Sequence, residues 1–384
     1  MDFTSLANEI FRGILGFGWQ NAVMILVGVI LIALAIIKQY EPVLLLPIGF
    51  GCILANLGMS TDHGLFKVLY DAGIKSELFP LLIFVGVGAM IDFRPLLAMP
   101  QMVLLGAAGQ FGIYATLILA ALLGFPLNQA ASIGVIGAID GPTAIFVTSK
   151  LAPELLGPIA VAAYSYMSLI PIIQPPIMRL MTSKKERSIR MEYAAKPVSD
   201  KAIIAFPVVV TVVVSLIAPD AAPLIATLML GNLLRESGVV DRLRKSAENE
   251  IINVATLFLG LSIGATMTGT SFINLQTIMV LALGLLAFVL DTVAGLLFGK
   301  LMCFVTGGKV NPLIGACGIS AFPMAGRLSA QMALEEDPHN YILMHAMGSN
   351  TAGQLGSFTA GACFRHDLTN YLISSSLLFW YGGL

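Results

Sequence analysis

Charge is what this sequence has least of. Lysine, arginine, aspartate and glutamate make up 11% of the 384 residues, against 57% hydrophobic ones; a soluble domain carries about 25% charged residues. That scarcity excludes a water-soluble globular chain and implies a polytopic membrane protein. The formal net charge of -1 excludes a nucleic-acid footprint and gives no polybasic lipid patch. Cysteine is sparse too. Cys52, Cys303, Cys317 and Cys363 lie scattered in apolar stretches without paired spacing, which suits small buried hydrophobes rather than disulfide or zinc partners. No nucleotide-binding glycine loop and no nucleophile elbow is present. The glycines suit close helix packing, as in Gly86-Val87-Gly88. The start, Met1-Asp2-Phe3-Thr4, lacks a basic leader, so no cleavable signal is expected. Residues 1–19, with Phe3, Leu6, Ile10, Ile14 and Leu15, are expected to lie on the membrane surface as an interfacial segment.

What is there is a series of apolar runs. A membrane helix needs about 20 apolar residues, fewer inside a bundle. The first membrane repeat, 20–181, offers spans at 20–37, 43–57, 79–92, 102–124 and 156–180, with a broken segment at 128–150. A basic loop follows at 182–201, carrying Lys184, Lys185, Arg187, Arg190, Lys196 and Lys201; its charge marks it as cytoplasmic. The second repeat, 202–384, offers 202–218, 221–234, 252–268, 275–299, a broken segment at 311–334, then 340–362 and 369–384. The expected fold is therefore all-α: two structural repeats with broken or re-entrant helices meeting near the midplane. Six full crossings per half would make the repeats parallel. Re-entrant broken segments leave five crossings and make them inverted, a common transporter plan. Inversion also puts the loops of Arg94, Lys300 and Lys309 on the cytoplasmic side.

The two broken segments match each other. Ile133-Gly134, Gly137, Pro142 and Ala144 return 181 positions later as Ile314-Gly315, Gly318, Pro323 and Ala325. The first copy holds Asp140 in Ile139-Asp140-Gly141-Pro142-Thr143, and the second holds Ser320 and Arg327. Glycine and proline remove backbone hydrogen bonds, and freed carbonyls in hydrocarbon need protein, water or an ion. A hard cation such as Na⁺ suits a cage of carboxylate, hydroxyl, carboxamide and carbonyl oxygens. Asp140, Thr143, Asn311, Ser320 and Asn350 supply such side chains. A carboxylate inside a membrane is a functional hypothesis by default, and Asp140 can exchange a proton for Na⁺. Arg327 is read either as a fork for a carboxylate or carbamate or as an interfacial snorkelling residue. Tyr166 is read as a proton donor or as a packing residue, and Tyr164 more simply as packing. Asp291 is read as an interhelical hydrogen bond or a functional acid, His345 as bonding a neighbouring helix rather than relaying protons, and Gln110 as a packing or hinge feature. Lys150, Asp92 and Arg94 are read as interface anchors, and Glu335-Glu336-Asp337 as a solvated loop.

Gly137-Ala138-Ile139-Asp140-Gly141-Pro142-Thr143-Ala144-Ile145-Phe146, Gly109-Gln110-Phe111-Gly112, Ala163-Tyr164-Ser165-Tyr166-Met167 and Ile319-Ser320-Ala321-Phe322-Pro323-Met324-Ala325-Gly326-Arg327 together resemble one family. It is the β subunit of biotin-dependent Na⁺-pumping decarboxylases, acting on oxaloacetate, methylmalonyl-CoA, malonate or glutaconyl-CoA. The resemblance covers nearly the whole chain. It implies a cell-membrane subunit that decarboxylates carboxybiotin, consumes a proton and exports Na⁺. It implies Asp140, Asn311, Ser320 and Asn350 as Na⁺ ligands. Tyr166 and Ser320 would stand on the proton or ion path, and Arg327 on carboxybiotin. Implied partners are a biotin carrier protein or domain, a carboxyltransferase α subunit, a small membrane-anchored γ or δ subunit, and further copies of this chain as a homo-oligomer. No Met-Lys-Met occurs, so the biotin belongs to a partner. Ala325-Gly326-Arg327 departs from the family's two alanines before the arginine. The competing reading is a stand-alone secondary transporter of the Na⁺/H⁺ or Na⁺/organic-anion type.

Overall fold

The computed structural model describes residues 17–59, 61, 64–191, 198–217 and 219–381. Among them there are helices and no strands. The first half runs α1 (Trp19–Ile37), α2 (Pro42–Asn56), α3 (Gly64–Leu69, continued by a wider turn, Tyr70–Lys75), α4 (Leu78–Met90), α5 (Arg94–Ala98), α6 (Met102–Ala108), α7 (Phe111–Leu122), α8 (Leu127–Gly134), α9 (Gly141–Leu151) and α10 (Leu156–Met181). After the short α11 (Lys184–Arg187), the second half runs α12 (Asp200–Ile217), α13 (Ala222–Glu236), α14 (Asp241–Ser246), α15 (Ile252–Thr266), α16 (Gly269–Phe272), α17 (Leu275–Val305), α18 (Met324–Glu336) and α19 (Leu343–Tyr381). By length and composition four helices can cross a membrane, or up to six when each bent pair is one span. This is the architecture of a polytopic membrane protein.

Most expected spans fall on helices. Two differ. The pieces expected at 340–362 and 369–384 are one helix of 39 residues, Leu343–Tyr381. The span expected at 102–124 is interrupted at Gly109-Gln110, between α6 and α7. Of the interfacial segment expected at 1–19, residues 1–16 lie outside the described residues, as does Lys196 of the basic loop.

Helices of the two halves interlock through glycine. α2 lies along α15: Gly260 faces Pro47 and Leu44, while Gly264 faces Ile48 and Cys52. Rising numbers meet rising numbers, so these helices run in the same direction. α4 instead runs against α15. Phe79 stacks on Phe258 with ring centroids 6.2 Å apart, while Gly86, further along α4, meets Ile252 near the start of α15. Side-chain-free contacts let helices approach to backbone distance, which drives packing where water supplies no hydrophobic force. Gly88 and Gly231 do the same for α4 and α13. A Cβ on Gly88 would strike the Leu228 carbonyl, and one on Gly231 the Val85 carbonyl.

Charged residues gather where the membrane argument puts its aqueous face. Arg94 pairs with Glu236 at 2.5 Å, Arg235 reaches both Glu236 and Asp92, and Arg187 pairs with Glu336 at 2.6 Å. Lys300 meets Glu186 at 3.2 Å. Asp92, Arg94 and Glu336 thus form ion pairs that tie the start of α5 and the turn before it to α13, and α11 to α18.

Candidate functional site

Two segments double back on themselves. In the first, α8 passes through a tight turn, Val135–Ala138, to Ile139 and then α9. Its ends stand together, because Asn128 Nδ2 donates to the Leu151 carbonyl at 2.7 Å. Lys150 is held by Glu77 at 3.2 Å. Pro142 sits in the first turn of α9, where its missing N–H breaks no helical bond. At the tip Ile139 is left-handed (φ 53°, ψ 44°), a conformation costly for a β-branched residue. Asp140 follows as the N-cap of α9, and the Thr143 hydroxyl donates to its carboxylate.

The second segment descends through the 3₁₀ turns Pro312–Gly318, breaks at 319–323, and returns as α18. Its ends are clasped by one carbonyl: Asn311 Nδ2 and Asn340 Nδ2 both donate to Arg187 O, at 2.8 and 2.9 Å. The tips of the two segments meet. Ser320 N donates to Ala138 O at 3.1 Å, and Ser320 Oγ donates to Gly353 O of α19 at 2.9 Å. Gln110, at the α6/α7 interruption, braces the junction by donating to Gly106, Gly318 and Gly353 carbonyls. Asn350 Nδ2 donates to Ile319 O at 2.7 Å, while its Oδ1 has no partner.

A cavity of about 380 Å³ opens onto this junction, lined among others by Asp140, Tyr164, Ser320, Gln354, Glu41 and Glu248. Asp140 and Ser320 are 5% and 3% exposed. The cavity therefore brings a carboxylate, a hydroxyl and a carboxamide to one apolar-walled pocket. Met90 also lines it, and the Met90 carbonyl accepts from Arg235.

The remaining expected residues are placed elsewhere. Asn311 is buried away from the cavity, with its oxygen accepting from Leu313 N and its nitrogen donating to Arg187 O and Ile189 O. Its work is to cap and clasp the second segment. The Tyr166 hydroxyl donates to the Leu281 carbonyl of α17, and it is Tyr164 that lines the cavity. Arg327 is exposed on the first turn of α18 and forms no ion pair among the described residues. Asp291 is fully buried and accepts from Gly112 N, as expected of an interhelical bond. Gln354 was not foreseen. It lies one turn beyond Asn350, the spacing that puts two residues on one helix face.

Comparison with known proteins decides what this arrangement belongs to. Residues 20–367 match the family model of the Na⁺-transporting oxaloacetate decarboxylase beta subunit. The chain belongs to that family. Its relatives include the glutaconyl-CoA decarboxylase subunit beta of Acidaminococcus fermentans, 53% identical over 91% of this chain and 93% of that one. The methylmalonyl-CoA decarboxylase subunit beta of Veillonella parvula is 51% identical over 94% and 96%. The oxaloacetate decarboxylase beta chain 2 of Salmonella typhi is 45% identical over 93% and 97%. The chain is thus a decarboxylase beta subunit of the Na⁺-transporting kind, and the stand-alone transporter reading falls away. Membership in a multi-subunit enzyme also means that it works with partner subunits.

Proposed function

We propose that this subunit decarboxylates carboxybiotin brought by a carrier domain and uses the proton consumed to drive Na⁺ out of the cell, through the junction of Asp140 and Ser320. The observation that carries the reading is the cavity lined by both residues, at the tips of two doubled-back segments joined by the Ser320 N to Ala138 O bond. The halves are read as inverted repeats in the cell membrane. Supporting this, α4 runs against α15, and each broken segment has its two ends tied together, which leaves an odd number of crossings per half. Half-helix ends meeting near the midplane provide freed backbone carbonyls for a cation.

In this reading Asp140 is the Na⁺-binding carboxylate. Ser320 and Asn350 add a hydroxyl and a carboxamide oxygen, the Asn350 oxygen being buried and otherwise unpaired. The bonds made by Asn311 argue for leaving it out of this cage as a clasp. Na⁺ and a proton compete for Asp140, so arrival of the ion releases the proton toward the substrate. Arg327, exposed and unpaired one turn past the second tip, fits a planar carboxylate with its fork of donors. Carboxybiotin, when bound, supplies the chemistry by losing CO₂ as its ureido nitrogen is protonated. Tyr164 replaces Tyr166 as the phenol nearest this exchange, and Tyr166 holds α10 to α17. Moving one charge against 100 mV takes about 2.3 kcal/mol. Carrier, carboxyltransferase α subunit, a small γ or δ subunit and a homo-oligomer complete the proposed assembly.

The test uses the purified complex in vesicles. Decarboxylation that is stimulated by Na⁺, blocked by avidin and coupled to ²²Na⁺ movement is expected. Na⁺ movement insensitive to avidin would overturn the reading.

A further inference from the structure

The cavity over Asp140 has more polar wall than this cage uses. Among its lining residues is Glu41, partly exposed just ahead of α2, with a left-handed backbone (φ 36°, ψ 58°). Non-glycine residues held in that region gather at functional sites. Glu41 forms no ion pair among the described residues. The other lining acid outside the junction, Glu248, is paired with Arg244 at 2.7 and 2.9 Å. Glu41 is therefore the lining acid outside the junction that has no ion-pair partner among the described residues. Also on the cavity wall, Gln354 is 3% exposed, and its carboxamide oxygen has no hydrogen-bond partner among the described residues. A buried acceptor left unmatched calls for an explanation. Rotation of the terminal amide presents either its oxygen or its nitrogen to the cavity. A hard monovalent cation is the ligand that a carboxylate and a carboxamide oxygen share, since neither group in that form donates a proton to it.

We infer that the cavity is a cation path with two stations, the Glu41 carboxylate collecting Na⁺ and the Gln354 carboxamide passing it to Asp140. This rests on the Na⁺-transport reading of the same cavity. Glu41 acts at a distance through its charge, because apolar cavity walls focus the field and raise the local cation concentration. Gln354 acts by contact, replacing part of the ion's hydration shell. The two stations therefore respond differently to ionic strength: charge attraction is screened by salt, and contact coordination is not.

The experiment measures decarboxylation against Na⁺ concentration in the complete complex, with choline chloride setting the ionic strength. Glu41→Gln raises the Na⁺ half-saturation about tenfold at low ionic strength, with kcat within about twofold of the wild type. The gap closes as choline chloride is added. Glu41→Asp keeps the charge and the half-saturation, and Glu41→Gly, which relieves the backbone, behaves as Glu41→Gln. These two variants separate charge from folding. Gln354→Leu raises the half-saturation at every ionic strength. Wild-type half-saturation in Glu41→Gln and Gln354→Leu overturns the path, as does a Glu41→Gln defect indifferent to choline chloride. If those variants are normal while Asp140→Asn is dead, the path alone fails. If the wild type ignores Na⁺, the transport reading fails with it.

Discussion

The backbone N–H of Ser320 donates to the carbonyl oxygen of Ala138 at 3.1 Å, joining the tips of two segments that come from opposite halves of the chain. Ala138 stands two residues before Asp140, so the carboxylate and the hydroxyl of Ser320 are held in one frame by the backbone itself. Side-chain substitutions at the site can thus be made without cutting the strut that aligns it.

Asp140→Asn keeps the volume and removes the charge. Na⁺-coupled decarboxylation should fall by about a hundredfold or more, while the carboxyltransferase partner keeps its own exchange activity. Near-normal ²²Na⁺ uptake in vesicles would remove Asp140 from the ion site.

Ser320→Ala deletes the donor to the Gly353 carbonyl but leaves the Ser320 N–H bond to Ala138. The expected result is a higher Na⁺ half-saturation, by about tenfold, equivalent to about 1.4 kcal/mol. Thermal stability should change little. A large fall in melting temperature with unchanged Na⁺ affinity would assign Ser320 to structure alone.

Arg327→Lys retains a positive charge on an exposed helix position. Turnover with the carboxylated carrier should drop by about tenfold, because a point charge cannot replace a two-pronged donor fork. Single-turnover kinetics of carrier decarboxylation measure this directly, and wild-type kinetics would count against the role.

Asn340→Leu removes one of two donors to the buried Arg187 carbonyl and leaves Asn311 as the other. A destabilisation of about 1–3 kcal/mol is expected, read as earlier unfolding of the purified complex. Asn311→Leu should cost more, since Asn311 also caps Leu313 N and bonds Ile189 O.

Asp337, on the aqueous loop after α18, is held below the usual carboxylate range by the Arg190 guanidinium and by the His339 N–H. Its folded pKa is the lower one, so its contribution is complete above the unfolded value near 3.9 and is lost as pH falls through the folded value. The stability difference between wild type and Asp337→Asn should stay level from pH 8 to about 5 and shrink only below about 4. A difference that already vanishes well above pH 5 would overturn this assignment.

Apolar runs bounded by charge were legible because the bilayer demands them, and the paired breaks were legible because proline and glycine cannot hide in hydrocarbon. Less visible was how each polar side chain spends its atoms. Asn311 reads as a cage residue by its position beside a break, yet its oxygen and nitrogen are used on backbone groups. Tyr164 and Tyr166 stand about 200° apart on a helix, and nothing in the sequence says which face meets the cavity. Gln354 offered a signal, its spacing of four from Asn350, that composition alone does not raise above the background of polar residues. The last helix was divided in two because Arg365-His366-Asp367 interrupts its apolar run. Gly64–Lys75 escaped notice because Lys67, Asp71 and Lys75 break the hydrophobic run of so short a helix.

No sequence rule predicts a left-handed isoleucine, and Ile139 is one, fully buried immediately before the carboxylate. Such a backbone persists only where the surrounding structure over-determines it. The packing that encloses Ile139 therefore also fixes the backbone from which the Asp140 carboxylate is presented.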